Sequence, residues 1–167
     1  MRKTVVVLFV ALVTLMSFSA VQAQVPKEGT IAGRIVWTGT VKTLPGPDKS
    51  TSVYSNELTG VYIADSPGDI LENASLHSIG YGGTVNGVYN DQALFSLTRP
   101  DGDKIFVRFT GTRGPDGIRR TAMIVGGTGK FGGISGEGTG IPGKPVKPAM
   151  EGVSAGIGNW NFSYKLP

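Results

Sequence analysis

Thr121-Ala-Met-Ile-Val-Gly-Gly-Thr-Gly-Lys-Phe-Gly-Gly-Ile-Ser-Gly-Glu-Gly-Thr-Gly140 decides how this chain is read. Thr121 to Val125 is an apolar strand that runs into Gly126, Gly127 and Gly129, which supply the positive φ angles of a tight reversal. Phe131 to Thr139 is expected to leave as a second strand with almost no side-chain bulk. A strand that gives up so many side chains passes close to another backbone or bends at a barrel corner. The stretch therefore points to a β-hairpin and carries no reaction of its own.

The residues on either side extend the pattern. Glycine and proline, 26 and 10 of 167 residues, break the chain too often for a long apolar stripe at helical spacing. Ile31, Gly33, Ile35 and Trp37 share one strand face, and a Pro- and Gly-rich loop follows around Leu44 to Lys49. Glu57 to Ala64 is a second strand. Leu76 to Tyr81 and Thr84 to Tyr89 read as one third strand, bulged at Gly80, Gly82 and Gly83. Arg99-Pro-Asp-Gly-Asp103 is a hairpin turn between Ala93–Leu97 and Lys104–Thr110, because proline presets φ and Asp-Gly accepts a left-handed turn. Ile118 to Val125 begins the glycine hairpin, and Ile141 to Met150 reads as an exposed loop. The last strand places Trp160, Phe162, Tyr164 and Leu166 on one side. About eight short strands joined by short connections predict an all-β fold, an antiparallel barrel closed by pairing its first and last strands.

The N-terminus reads as an export signal. Arg2 and Lys3 precede an apolar run, Thr4 to Met16, and Val21-Gln22-Ala23 suits signal peptidase. That run is shorter than the roughly 20 residues of a membrane span. Residues 1–23 are thus expected to be cleaved near Ala23, leaving 24–167 as one secreted or periplasmic domain. Loss of Arg2 and Lys3 takes the formal charge from +4 to +2, a bias too weak to name a partner. The absence of cysteine excludes disulfides, thiolate metal sites and cysteine nucleophiles.

Three patches resemble the allene oxide cyclase and dirigent barrel superfamily. They are Gly126-Gly-Thr-Gly-Lys-Phe131 with the following Gly-Ile-Ser-Gly, then Asp101-Gly-Asp-Lys-Ile-Phe106 as in small secreted bacterial members, and the strand Trp160 to Leu166. The resemblance spans residues 30 to 166. It implies an eight-stranded, calycin-like antiparallel barrel with a partly apolar interior, and the homotrimer common among plant members. Those plant proteins cyclise an epoxide or steer radical coupling without a cofactor, while many bacterial relatives have no known activity. The resemblance carries none of the plant active-site residues onto a position of this chain.

Residue by residue, the chemistry is sparse. Ile124 stands where a phosphate loop needs glycine, and Phe131 where it needs Ser or Thr, which excludes nucleotide binding by this motif. His77 is the sole histidine, so no histidine-based zinc site exists. It alternates with Ile79 and Tyr81, as a lone acid or base or as a structural residue. Asp101 and Asp103 read as turn residues rather than calcium ligands. Glu57 alternates with Thr59, Val61 and Ile63, and is a candidate base if that face lines the lumen, a solvated rim residue otherwise. Arg108 binds an anion if it points inward with Phe106; it is merely exposed if Ile105, Val107 and Phe109 point inward. No Gly-x-Ser-x-Gly elbow supports a serine triad, and scattered basic residues argue against nucleic acid. Asn73-Ala-Ser75 and Asn161-Phe-Ser163 match the glycosylation pattern without further meaning.

Trp37, Phe95, Phe109 and Trp160 are the residues expected to line a ligand site or to pack the core. The sequence thus supports an exported barrel that holds an apolar or amphipathic small molecule in its lumen, with no cofactor, no metal and no reaction assigned. Its alternatives are a cofactor-free cyclase or isomerase, using Glu57, His77, Tyr81 and Arg108, and a solid barrel with only a structural or interaction role.

Overall fold

The computed structural model describes residues 25–148 and 150–167. The expected export signal and its cleavage point lie outside the described residues. Eight strands follow in order: β1 (Glu28–Pro45), β2 (Ser52–Ala64), β3 (Ser75–Val85), β4 (Val88–Thr98), β5 (Lys104–Gly114), β6 (Gly117–Gly127), β7 (Ser135–Val146) and β8 (Ser154–Lys165). Each pairs antiparallel with the next, and β8 closes onto β1 from Glu28↔Lys165 to Gly39↔Ser154. The closed eight-stranded antiparallel barrel expected from the sequence is the fold.

Glycine is frequent because this barrel is narrow. Along one inward-facing row, Tyr54, Asp91, Arg120 and Trp160 alternate with Gly82, Gly111, Gly140 and Gly33 on the intervening strands. Eight side chains of full size would not fit at one level, so small residues must alternate with large ones. A Cβ at Gly140 would stand 2.6 Å from the Trp160 ring, and one at Gly111 would stand 1.9 Å from Asp91 Oδ1. These glycines are vacancies that their neighbours fill.

Three expectations about strand limits are corrected. Thr84 to Tyr89 is not the end of a bulged third strand. Asn86 and Gly87, at φ 52° and 80°, form a two-residue hairpin turn, and the β2–β3 and β3–β4 ladders run without a register shift. The shifts fall instead between Phe106 and Val107 and between Pro142 and Pro145. The glycine stretch is not a tight hairpin, because a 3₁₀ turn, Gly129–Phe131, separates its strands and β7 begins only at Ser135. Phe131 is buried there as a plug. Finally, Ile141 to Val146 belongs to β7 rather than to a loop; its prolines are tolerated because β6 pairs only with Gly136 to Gly140, leaving that flank of β7 free.

One end of the barrel is sealed. Phe131 and Ile134 from the β6–β7 connection, and Leu71 and Ala74 from the β2–β3 connection, are all at most 2% exposed. The Tyr62 hydroxyl donates to Asp69 Oδ2 at 3.0 Å, and the Arg99 guanidinium donates to the Ile70 carbonyl. The Lys130 amide donates to Asp103 Oδ2 at 3.1 Å, and the Lys130 ammonium pairs with Asp101. The Arg99–Asp103 turn and the 3₁₀ turn are therefore clasped together, which accounts for their acidic and glycine residues.

Burial is the first cause that raises the ionisation of Tyr54, Tyr62, Tyr89 and Tyr164 above the ordinary tyrosine value; at Tyr62 the neighbouring Asp69 charge adds to it. The folded barrel holds these protons where the unfolded chain releases them. Their contribution to stability is therefore complete below about pH 10 and is lost as pH rises beyond it. Urea midpoints measured at pH 8 and pH 11 are expected to fall on the alkaline side; equal midpoints would refute the buried hydroxyls.

Candidate functional site in the barrel lumen

The half of the lumen away from the seal contains a cavity of about 220 Å³. Its aromatic wall is made of Trp37, Phe95, Phe109 and Trp160, the four residues singled out from the sequence. Their parity puts them inside: Trp37 shares its face with Ile31 and Ile35, Phe95 with Leu97, Phe109 with Ile105 and Val107, and Trp160 with Phe162. The Trp160 ring lies 5.3 Å from Phe95, 5.5 Å from Phe109 and 5.7 Å, stacked, from Phe162. Edge and stacked contacts at these distances fix the orientation of the rings that wall the cavity.

A polar group stands at one side of that aromatic box. Arg120 Nε and Nη2 donate to Asp91 Oδ2 at 3.0 and 2.6 Å. The two residues sit on β4 and β6, and the vacancy at Gly111 of β5 lets them meet. The guanidinium also lies 4.8 Å from the Phe109 ring centre, a cation–π contact. The Asp91 side chain is 4% exposed and that of Arg120 19%. Asp91 Oδ1 is left without a partner, and so is the buried Oδ1 of Asn56, which also lines the cavity. Both oxygens are packed against strand backbone, Asp91 Oδ1 at Gly111 and Asn56 Oδ1 at Gly80, and lack the partner that most buried polar atoms have. Above them the Tyr54 and Tyr89 hydroxyls are 3.0 Å apart, with the Arg113 guanidinium over the Tyr89 ring.

Of Glu57, His77, Tyr81 and Arg108, the structure places only Tyr81 at this cavity. Glu57 and His77 lie on the outer face, where Glu57 Oε1 and His77 Nε2 are 2.9 Å apart and both side chains are more than half exposed. The inward set of β2 is Tyr54, Asn56, Leu58 and Tyr62, so the inward orientation that Glu57 would need as a buried base is not met. Arg108 is outside beside Met123, because Ile105, Val107 and Phe109 take the interior. Tyr81 borders the wall, but the residue is 60% exposed and its hydroxyl accepts from Gln92 Nε2 at 2.6 Å. Among the described residues, no group of three or more His, Asp or Glu is arranged to hold a metal.

These observations define a closed eight-stranded antiparallel barrel with an aromatic lumen and a buried Asp91–Arg120 pair. In fold the chain is similar to the pterocarpan synthase dirigent protein GePTS1, with a TM-score of 0.50 and 12% identity over 86% of this chain and 88% of that one. No protein-family model matches the chain, and no curated protein matches it.

Proposed function

We propose that this protein is an exported barrel that binds a small aromatic molecule carrying a hydrogen-bond donor, such as a phenol. The observation that carries this reading is a cavity walled by aromatic rings, whose lining residues Asp91 and Asn56 each keep a buried side-chain oxygen without a partner. A cavity of about 150 Å³ admits benzene, so one of about 220 Å³ has room for one or two rings. A hydroxyl on the ring would donate to an orphan acceptor, and its apolar body would replace water against Trp37, Phe95, Phe109 and Trp160. Export is part of the reading on the strength of the Arg2-Lys3 start, the apolar run and the Ala23 site.

A second reading has its own support. A buried carboxylate oxygen with no partner, beside a bound hydroxyl, is placed to accept a proton, and the fold is shared with a protein named as a pterocarpan synthase. In that case Asp91 would be the base of a cofactor-free cyclisation or isomerisation, and Arg120 the group that holds it.

Both tryptophans of the chain line the cavity, so intrinsic fluorescence reports its occupation. Titration with 2-naphthol and with naphthalene is expected to show both binding, the naphthol more tightly by about fivefold for one added hydrogen bond. Asp91→Ala is expected to erase that difference while naphthalene still binds. If neither compound perturbs the tryptophans at its solubility limit, the binding reading is wrong. Turnover of a bound phenol that is lost in Asp91→Asn would favour the second reading.

A further inference from the structure

The two ends of the barrel differ in what they show to solvent. At the sealed end the large apolar residues of the connections, Ile70, Leu71, Phe131 and Ile134, are buried, and the exposed apolar side chains near the strand ends are Ile63 and Val125, 41% and 51% exposed. At the open end three hairpin tips each carry exposed apolar side chains. Leu44 and Val53 flank the β1–β2 turn as cross-strand partners, Val85 and Val88 flank the β3–β4 turn, and Val146 and Met150 stand at the β7–β8 connection. Leu44, Val88 and Met150 are 69%, 64% and 67% exposed. Because β8 neighbours β1 and β2 neighbours β3, the three tips are consecutive around the rim.

Charge completes the contrast. Lys42, Lys49 and Lys147 stand exposed beside the apolar tips, and Arg113 and Arg119 flank the fourth turn. Among the described residues, Asp48, Asp116 and Glu151 oppose them there; Asp48 is hydrogen-bonded to Ser50 and Asp116 pairs with Arg119. Exposed apolar side chains set among basic ones fit an interface between acyl chains and anionic headgroups: the aliphatic groups enter the boundary and the lysines meet phosphates. A second copy docked rim to rim would instead press like charges together.

We propose that the open end of the barrel docks on an anionic lipid surface. The tips of Leu44, Val88 and Met150 enter the headgroup region, and the basic side chains between them supply the preference for negative charge. Docked this way, the mouth of the cavity faces the bilayer, so an apolar ligand would pass into the lumen without crossing water. The docking surface exists whether or not the lumen holds the ligand proposed above.

The test is co-sedimentation of the mature protein with phosphatidylcholine vesicles, with and without phosphatidylglycerol, and with no ligand added. Partitioning is expected to be at least about tenfold stronger on the anionic vesicles at low salt, and to weaken in high salt. The double substitution Leu44→Asp with Val88→Asp is expected to reduce it by about tenfold or more, with an unchanged melting temperature because both side chains are exposed. Lys42→Gln with Lys147→Gln should flatten the dependence on lipid charge, whereas Lys104→Gln with Lys165→Gln at the sealed end should leave it intact. Equal affinity for both vesicle types, or apolar variants that partition like the parent, would overturn the proposal. So would light scattering that shows the parent as a dimer and the Leu44→Asp, Val88→Asp form as a monomer, which would assign the rim to a second copy.

Discussion

Arg120→Ala is expected to destabilise the barrel by about 3 kcal/mol at neutral pH, as read from urea unfolding. The substitution removes both hydrogen bonds to Asp91 Oδ2 and leaves a carboxylate, with a side chain only 4% exposed, alone among aromatic rings. Breaking a buried ion pair from one side costs about 3–5 kcal/mol, and the lower end applies because solvent reaches the edge of the Arg120 side chain. The converse change, Asp91→Ala, should cost less, since the freed guanidinium can turn toward that solvent. The double variant should also be less damaged than Arg120→Ala, because no lone charge remains inside. A loss below about 1 kcal/mol for Arg120→Ala would show that water satisfies the Asp91 carboxylate in place of the guanidinium. This asymmetry matters for function, since only a dry carboxylate oxygen distinguishes a hydroxylated ligand strongly from its hydrocarbon analogue.

Trp160→Ala is expected to cost about 3–5 kcal/mol. The ring touches Phe95, Phe109 and Phe162 and covers the vacancy at Gly140, so its removal opens a hole that three other aromatic rings cannot close. For a domain of this length the melting temperature should fall by roughly 10 °C or more, measured by calorimetry. If the drop is under about 3 °C, the aromatic box is loosely packed and does not define a ligand shape. The same change enlarges the cavity. Surviving protein should therefore lose selectivity between one-ring and two-ring probes as well as stability.

The aromatic wall of the site was legible in the sequence. Trp37, Phe95, Phe109 and Trp160 each belong to a run whose alternate residues are apolar, and alternation reports which face is buried. The polar part was not legible in the same way. Asp91 and Arg120 are 29 positions apart and meet only because the register sets both against Gly111. One signal was nevertheless present. Reading Asn86-Gly87 as a two-residue hairpin turn starts β4 at Val88 and puts Asp91 on the face of Ala93, Phe95 and Leu97. A carboxylate on an otherwise apolar face needs a partner, and Arg120 shares its face with Ala122 and Ile124. A third strand continued through Thr84 to Tyr89 lacks that turn, and Glu57, His77 and Arg108 alternate just as regularly on the outer face.

Local chemistry along the chain determined the barrel itself. Breakers every few residues, alternation between them and turn residues at the hairpins leave a β-meander little alternative to curling until its last strand meets its first. Tertiary structure alone decided which face turned inward where both alternate alike, as on β2, which glycines became vacancies, and that one end was sealed while the other stayed open. The physical reason is that strand parity repeats every two residues and is symmetric about the sheet. Only closure, which forces large side chains to interleave with small ones across eight strands, breaks that symmetry and places Asp91 and Arg120 inside, with Glu57 and His77 outside.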